Sequence, residues 1–222
     1  MDKRLQYFKL AKEINDKNKE LFLTNEAHCR GSINSMSLIS ISKKKPELGF
    51  SSIRTEKTIL SKIDDLKEKD EPKRPTPEKV LQSWIIKNAI KNNYILPCGD
   101  DIKFITSEMA VYDKSNKRIV NDILGFKDGS LYVIELKSDR AMGRLVEQVE
   151  NFNNIIEKEK SLFDDLCKIY NHNWDKKSII KVIVWPFNKN GQKSSIELSN
   201  KNIIEYGYEE KNDSYEFIKY EN

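Results

Sequence analysis

The stretch that decides the fold is Asn121-Asp122-Ile123-Leu124-Gly125-Phe126-Lys127-Asp128-Gly129-Ser130-Leu131-Tyr132-Val133-Ile134-Glu135-Leu136-Lys137. Asp128-Gly129 between two apolar runs is the composition of a tight hairpin turn, and strands are predicted over 118–124 and 130–136. Pairing centred on that turn sets Asp122 opposite Glu135, with Cβ atoms about 5 Å apart. Side chains alternate along a strand, so Glu135 and Lys137 project to one face and Leu136 to the other. Two neighbouring carboxylates repel unless something positive stands between them. A hard divalent cation such as Mg²⁺ takes oxygen ligands and keeps several waters. It polarises a phosphoryl oxygen and lowers the pKa of a bound water. Lys137, one pleat further on, would orient or help deprotonate that water and screen the developing charge. The alternative on the same residues is a cross-strand carboxylate–lysine ion pair of the kind edge strands carry. The apolar run 131–134 gives no sign of an edge.

Working outward, Thr76, Pro77 and Glu78 make a helix start. Val80, Leu81, Trp84, Ile85, Ile86, Ala89 and Ile90 follow at helical spacing, a broad buried face. A strand is predicted over 102–106. A helix from about Arg140 carries Ala141, Leu145, Val149, Phe152 and Ile156 as one stripe. Residues 179–185 read as a central strand stopped by Pro186, and 202–206 and 215–220 as edge strands. Helix, strand, strand, strand, helix, strand indicates an α/β sandwich with a mixed sheet.

Charge divides the chain. Residues 1–76 hold 17 Lys/Arg against 12 Asp/Glu, and residues 77–222 hold 22 against 23. The seam, 69–77, contains Pro72, Pro75 and Pro77, too dense in proline for a helix interior or central strand. Residues 1–76 are therefore read as a basic N-terminal α+β extension serving recognition or dimerisation, with helices over 1–22 and 55–68 and short strands or loops over 31–54. Residues 77–222 form the main domain. Lys43-Lys44-Lys45 reads as a solvated turn, with a phosphate contact as the alternative.

Across 222 residues the formal charge is only +4, with 38% hydrophobic and 33% charged residues. A real core and a densely charged surface follow, but bulk charge by itself does not argue for nucleic acid. No apolar run approaches a membrane span, and no signal peptide is expected. Cys29, Cys98 and Cys167 are too far apart for a zinc site and odd in number for a paired disulfide framework. The expected setting is soluble and cytoplasmic. Richness in Lys, Asn and Ile suggests an AT-rich coding genome, bacterial or viral. His28 and His172 are isolated, and His28-Cys29 is not expected to act as a dyad. Dinucleotide, P-loop and nucleophile-elbow glycine motifs are absent.

Asn121-Asp122, then Glu135-Leu136-Lys137, with the inferred order of elements, resembles the signature of the PD-(D/E)XK nuclease superfamily. Glu78 matches a helix glutamate that joins the metal site in many members, and Gln148 with Phe152 matches a glutamine and aromatic on the following helix. The resemblance spans residues 77 to about 186 and departs at Asn121, where the pattern's name has proline. It implies a restriction-endonuclease-like core, a mixed central β-sheet flanked by helices. It also implies Mg²⁺-dependent hydrolysis of a phosphodiester, with Mn²⁺ substituting, most often in DNA. RNA stays open, as do a homodimer, a subunit role in a larger complex, and a pathway in restriction and defence or in DNA repair. The implied metal ligands are Asp122, Glu135 and the Leu136 carbonyl, with Glu78 outer-sphere or on a second metal. Lys137 would position the attacking water, and Gln148 would help near the metal or the scissile phosphate. The alternative function is a nuclease-fold module that binds nucleic acid or a protein without cutting.

Arg140, Arg144 and Gln148 lie four apart and would share one helical edge next to Lys137, an arrangement suited to clamping phosphate. The alternative is a solvated face with an Arg144–Glu147 pair. Gln82, one turn after Glu78, is expected to face the same pocket, with a plain surface amide as the alternative. Trp84, Trp174 and Trp185 read as packing residues.

Overall fold

Asp128 and Gly129 both take positive φ, 47° and 77°, the left-handed pair that a hairpin turn matching strand twist requires. Lys127 therefore faces Ser130, and the ladder continues through Phe126/Leu131, Gly125/Tyr132 and Leu124/Val133 to Ile123/Ile134. This is the register expected from the sequence, and its next step sets Asp122 beside Glu135.

The structure, a computed structural model, describes residues 9, 12, 13, 16, 76–95, 101–112, 118–140, 142–187, 195–212 and 214–220. In chain order these form α1 (Pro77–Asn92), β1 (Lys103–Tyr112), β2 (Arg118–Lys127), β3 (Ser130–Leu136), α2 (Leu145–Lys158), α3 (Lys160–Ile169), β4 (Ile179–Pro186), α4 (Ile196–Asn200), β5 (Ile203–Lys211) and β6 (Ser214–Lys219). The six strands make one sheet in sequence order. β1, β2 and β3 are an antiparallel meander, β3–β4 and β4–β5 are parallel, and β5–β6 is antiparallel. The fold is α/β with a mixed sheet, as the pattern of elements predicts.

The sheet separates two cores. Leu81, Ile85, Ile86 and Ala89 of α1 meet Ile123, Ile134, Leu136, Val182 and Val184 on one side. Leu145, Val149, Phe152 and Ile156 of α2, with Leu162, Phe163 and Leu166 of α3, meet Leu131, Val133, Ile183 and Trp185 on the other. β3 and β4 are buried on both faces, which is why they read as nearly continuous apolar runs. Gly125 permits a close approach on the α1 side. A Cβ there would lie 2.6 Å from Ile102 Cγ2 and 2.8 Å from Ile95 Cδ1. β1 carries a bulge between Phe104 and Thr106, so its pairing shifts by one residue partway along.

Several expectations are corrected. β5 is interior between β4 and β6, so 202–206 is not an edge. α2 begins at Leu145 and leaves Arg140 outside any helix. α3 and α4 were not foreseen. Thr76 stands at the N-cap of α1 in extended backbone, but its side chain makes no capping hydrogen bond. Among the described residues no helix is long and apolar enough to cross a membrane.

Lys9, Lys12, Glu13 and Asp16 fall within the helix expected over 1–22, and all four are helical. Lys12 pairs with Asp16 at 2.6 Å and lies 5.8 Å from the Tyr170 ring centre. The expectations for 31–54, 55–68, Lys43–Lys45, His28–Cys29 and the seam up to Pro75 lie outside the described residues.

Candidate active site

At the end of the sheet where β2 leaves β3, side chains continue the ladder. The Asp122 carboxylate accepts from the Leu136 amide at 2.8 Å, and Asn121 Nδ2 donates to the Ile134 carbonyl at 3.2 Å. Lys137 N–H donates to Val184 O at 2.9 Å, so the peptide edge of Leu136 faces the other way, towards β2 and Asp122. The Leu136 carbonyl lies on that same edge, where the resemblance expects a metal ligand. The Leu136 side chain is meanwhile buried in the α1 core. Asn121, where the pattern's name has proline, is thus a rung of the site. Its Oδ1 is buried with no hydrogen-bond partner among the described residues.

Asp122 and Glu135 are only 6% and 3% exposed. Lys137 donates to Glu135 Oε1 at 2.9 Å, and its ammonium lies 3.8 Å from Glu78 Oε2 at the start of α1. Burial, partly opposed by the Leu136 amide and Lys137, pushes the Asp122 carboxyl up to about 7. Burial and then the charge of Asp122 push Glu135 well above the usual carboxylate range, against Lys137. For Lys137, burial works against the charge, but Glu135, Asp122 and Glu78 outweigh it and hold the ammonium above its ordinary value. Lys137 therefore enters the site as a cation. As a cation it is suited to holding a water or an anion.

Burial is the main reason that both carboxyls favour protonation, and the nearby lysine charge only partly offsets it. Their oxygens, with the Leu136 carbonyl edge, are the hard donor set that Mg²⁺ takes. Among the described residues no three His, Cys, Asp or Glu side chains are already gathered as a metal cluster. Glu78 instead reaches the site through Lys137.

The remaining expected residues divide. Gln82 is buried, and its Nε2 donates to the Asp122 carbonyl at 2.9 Å. It is a strut behind the site, not the substrate contact expected. Arg140 also turns inward: Nη1 donates to Pro186 O at 3.0 Å, Nη2 to Glu205 Oε1 at 2.7 Å, and the guanidinium stacks 4.1 Å from the Trp185 ring centre. That binding corrects the phosphate clamp drawn from a shared helical edge, because Arg140 is not on the helix. Arg144 is exposed at the N-cap of α2. Gln148 is half-buried in the first turn of α2, and among the described residues its side chain makes no hydrogen bond to Asp122, Glu135 or Lys137. Phe152, Trp174 and Trp185 are buried packing residues, and Trp84 packs edge-on against Tyr215 at 5.4 Å.

Sequence reasoning missed Lys79 and Glu205. Lys79 Nζ donates to Gln82 Oε1 at 2.8 Å, and its charge favours ionised Asp122. The signal available was its i,i+3 spacing to Gln82. Glu205, fully buried, gathers Arg140, the Trp185 indole at 2.7 Å and the Ser195 amide at 2.9 Å. Its signal was a lone carboxylate among Ile203, Ile204 and Tyr206. No family model, curated relative or solved structure matches this chain.

Proposed function

We propose that this protein is a Mg²⁺-dependent nuclease hydrolysing phosphodiester bonds of DNA, as an endonuclease in defence or repair. The observation that carries the reading is the burial of Asp122 and Glu135 side by side on adjacent strands, with Lys137 one pleat on. The element order α1-β1-β2-β3-α2-α3-β4, with β3 parallel to β4, supports a restriction-endonuclease-like core, as the resemblance implies, with α3 as an addition before β4. Asp122, Glu135 and the Leu136 carbonyl would hold the ion, with Glu78 in its outer sphere. Bound there, Mg²⁺ supplies a polarised phosphoryl oxygen and a water of lowered pKa. Lys137, as an ammonium, would hold the attacking water by a hydrogen bond, and Gln82 fixes the backbone that carries Asp122.

A second reading, a nuclease-fold module that binds without cutting, draws on the Lys137–Glu135 pair, which neutralises Glu135 with no metal present. Among the described residues Asp122 has no salt bridge of its own, which favours the catalytic reading. The test is cleavage of supercoiled plasmid and single-stranded DNA by wild type and Asp122→Ala in Mg²⁺, Mn²⁺ or EDTA, with Mn²⁺ titrated calorimetrically. Metal-dependent cutting lost in the variant is expected. No cutting together with no Asp122-dependent Mn²⁺ binding would overturn the catalytic reading.

A further inference from the structure

Beyond Ile134 the strand that carries the site overhangs its neighbour. The β2–β3 ladder ends at Ile123/Ile134, and past it the Leu136 amide is held on that edge by the Asp122 carboxylate. On the other edge Lys137 N–H donates to Val184 O at 2.9 Å, and the chain then bends away at Ser138 and Asp139. Acceptors along one edge of a strand recur every two residues, so the next one on β4 is Pro186 O. Arg140 Nη1 donates to it at 3.0 Å. A guanidinium three residues after Lys137 thus takes the rung that the departing backbone leaves open.

The other arm of that guanidinium is anchored just as firmly. Glu205 is fully buried, and its Oε1 accepts from Arg140 Nη2 at 2.7 Å. Trp185 Nε1 donates to the same oxygen at 2.7 Å, and the Ser195 amide donates to Oε2 at 2.9 Å. Both carboxylate oxygens are therefore fixed by groups other than Arg140. The guanidinium lies 4.1 Å from the Trp185 ring centre and 5.7 Å from that of Tyr220. Tyr220 seats there because β5 has a glycine beneath it: a Cβ on Gly207 would lie 2.6 Å from the Tyr220 hydroxyl. A flat, forked cation that stacks while it bonds two acceptors is a firm anchor. Three residues of chain span at most about 10 Å. An Arg140 fixed on β4 and β5 therefore restrains Lys137, whose ammonium donates to Glu135 Oε1 at 2.9 Å.

We propose that Arg140, clasped by Glu205, is a positioning residue for Lys137. It touches neither ion nor phosphate and acts through the short segment that joins the two residues. The catalytic consequence rests on the nuclease reading above; the clasp itself does not. The test uses the full chain with Arg140→Lys, which keeps a cation for Glu205, and with Arg140→Ala. Lysine cannot reproduce a fork that serves Glu205 and Pro186 O while lying flat on Trp185. In EDTA, the amides of residues 136 and 137 are expected to exchange hydrogen at least about tenfold faster relative to those of 131–134 in both variants, as local opening requires. Single-turnover cleavage of an oligonucleotide in Mg²⁺ should fall by about 10- to 10²-fold, the scale of a small misplacement remote from the chemistry. Oligonucleotide affinity in Ca²⁺ should stay within about threefold of wild type, because the loss lies in the chemical step. Exchange that rises equally over 131–137 would make Arg140 a general stabiliser, and affinity that falls as far as the rate would make it a phosphate contact. Either result overturns the assignment, as do variants that match wild type in exchange and rate. A wild type that neither cuts nor binds Mn²⁺ through Asp122 overturns the nuclease reading. The exchange comparison needs neither metal nor DNA, so it still decides whether Arg140 holds residues 136 and 137.

Discussion

The Asp122 carboxylate accepts the Leu136 amide at 2.8 Å, so one side chain is both a candidate metal ligand and a rung of the sheet. Removing it has two separable effects. Asp122→Asn keeps an acceptor for the amide and deletes the buried charge, whereas Asp122→Ala leaves a buried N–H without a partner, at a cost of roughly 1–3 kcal/mol. In urea unfolding at pH 8 with EDTA, D122N should equal or exceed wild type, and D122A should fall below D122N by about that amount. Equal stability of the two variants would mean that the carboxylate is not a rung.

The same group sets a pH dependence. Its folded pKa, about 7, lies above the ordinary 3.8, so folding favours the protonated acid. Stability from this source is fully present below about pH 3.8 and is lost as pH rises through 7, and Glu135 shifts in the same direction. Thermal melts in EDTA from pH 4 to 8.5 should show wild type losing ground steadily to D122N, and Mn²⁺ should restore wild type most strongly above pH 7. A pH-independent difference between the two proteins would mean that Asp122 titrates as an ordinary carboxyl.

Much of this was legible in the sequence because it rests on local rules. Asp128-Gly129 and alternating apolar residues determine the hairpin register, and the register brings Asp122 to Glu135. What was not legible depends on partners distant in sequence. The stripe from Ala141 to Ile156 placed the start of α2 too early, because Arg140 is drawn away by Glu205, which lies 65 residues on. α3 had its own signal in Leu162, Phe163, Leu166 and Cys167, obscured by the absence of Gly or Pro before it. The sequence leaves Gln82 as either a pocket-facing or a surface amide and does not single out Lys79, since nothing local shows that an amide will be buried against a strand carbonyl.

Cys167 tests the α2-side core. It is fully buried in α3, and burial, with Asp164 adding, pushes its thiol up to about 12. The thiolate is the reactive form, so native Cys167 at pH 8 should alkylate with iodoacetamide at least about 10²-fold more slowly than in urea. Peptide mapping distinguishes it from Cys29 and Cys98. Rapid native labelling would show that α3 opens without global unfolding.

Arg140 and Arg144 separate a structural role from a substrate role. Sequence spacing makes them a matched pair, yet Arg140 is bound to fully buried Glu205 at 2.7 Å while Arg144 is exposed. Glu205 also holds Trp185 Nε1 and the Ser195 amide, so removing Arg140 leaves a buried carboxylate with neutral donors alone. Arg140→Ala should cost roughly 2–4 kcal/mol in denaturant unfolding, below the range for a fully buried pair because the guanidinium is partly exposed. Arg144→Ala should stay within about 0.5 kcal/mol, as exposed substitutions usually do, and any effect it has should appear in nucleic-acid binding. The opposite pattern, R140A as stable as wild type but unable to bind DNA, would mean that the guanidinium leaves Glu205 for phosphate. A buried carboxylate with three donors makes that exchange unfavourable, since the phosphate would have to compensate for stranding Glu205.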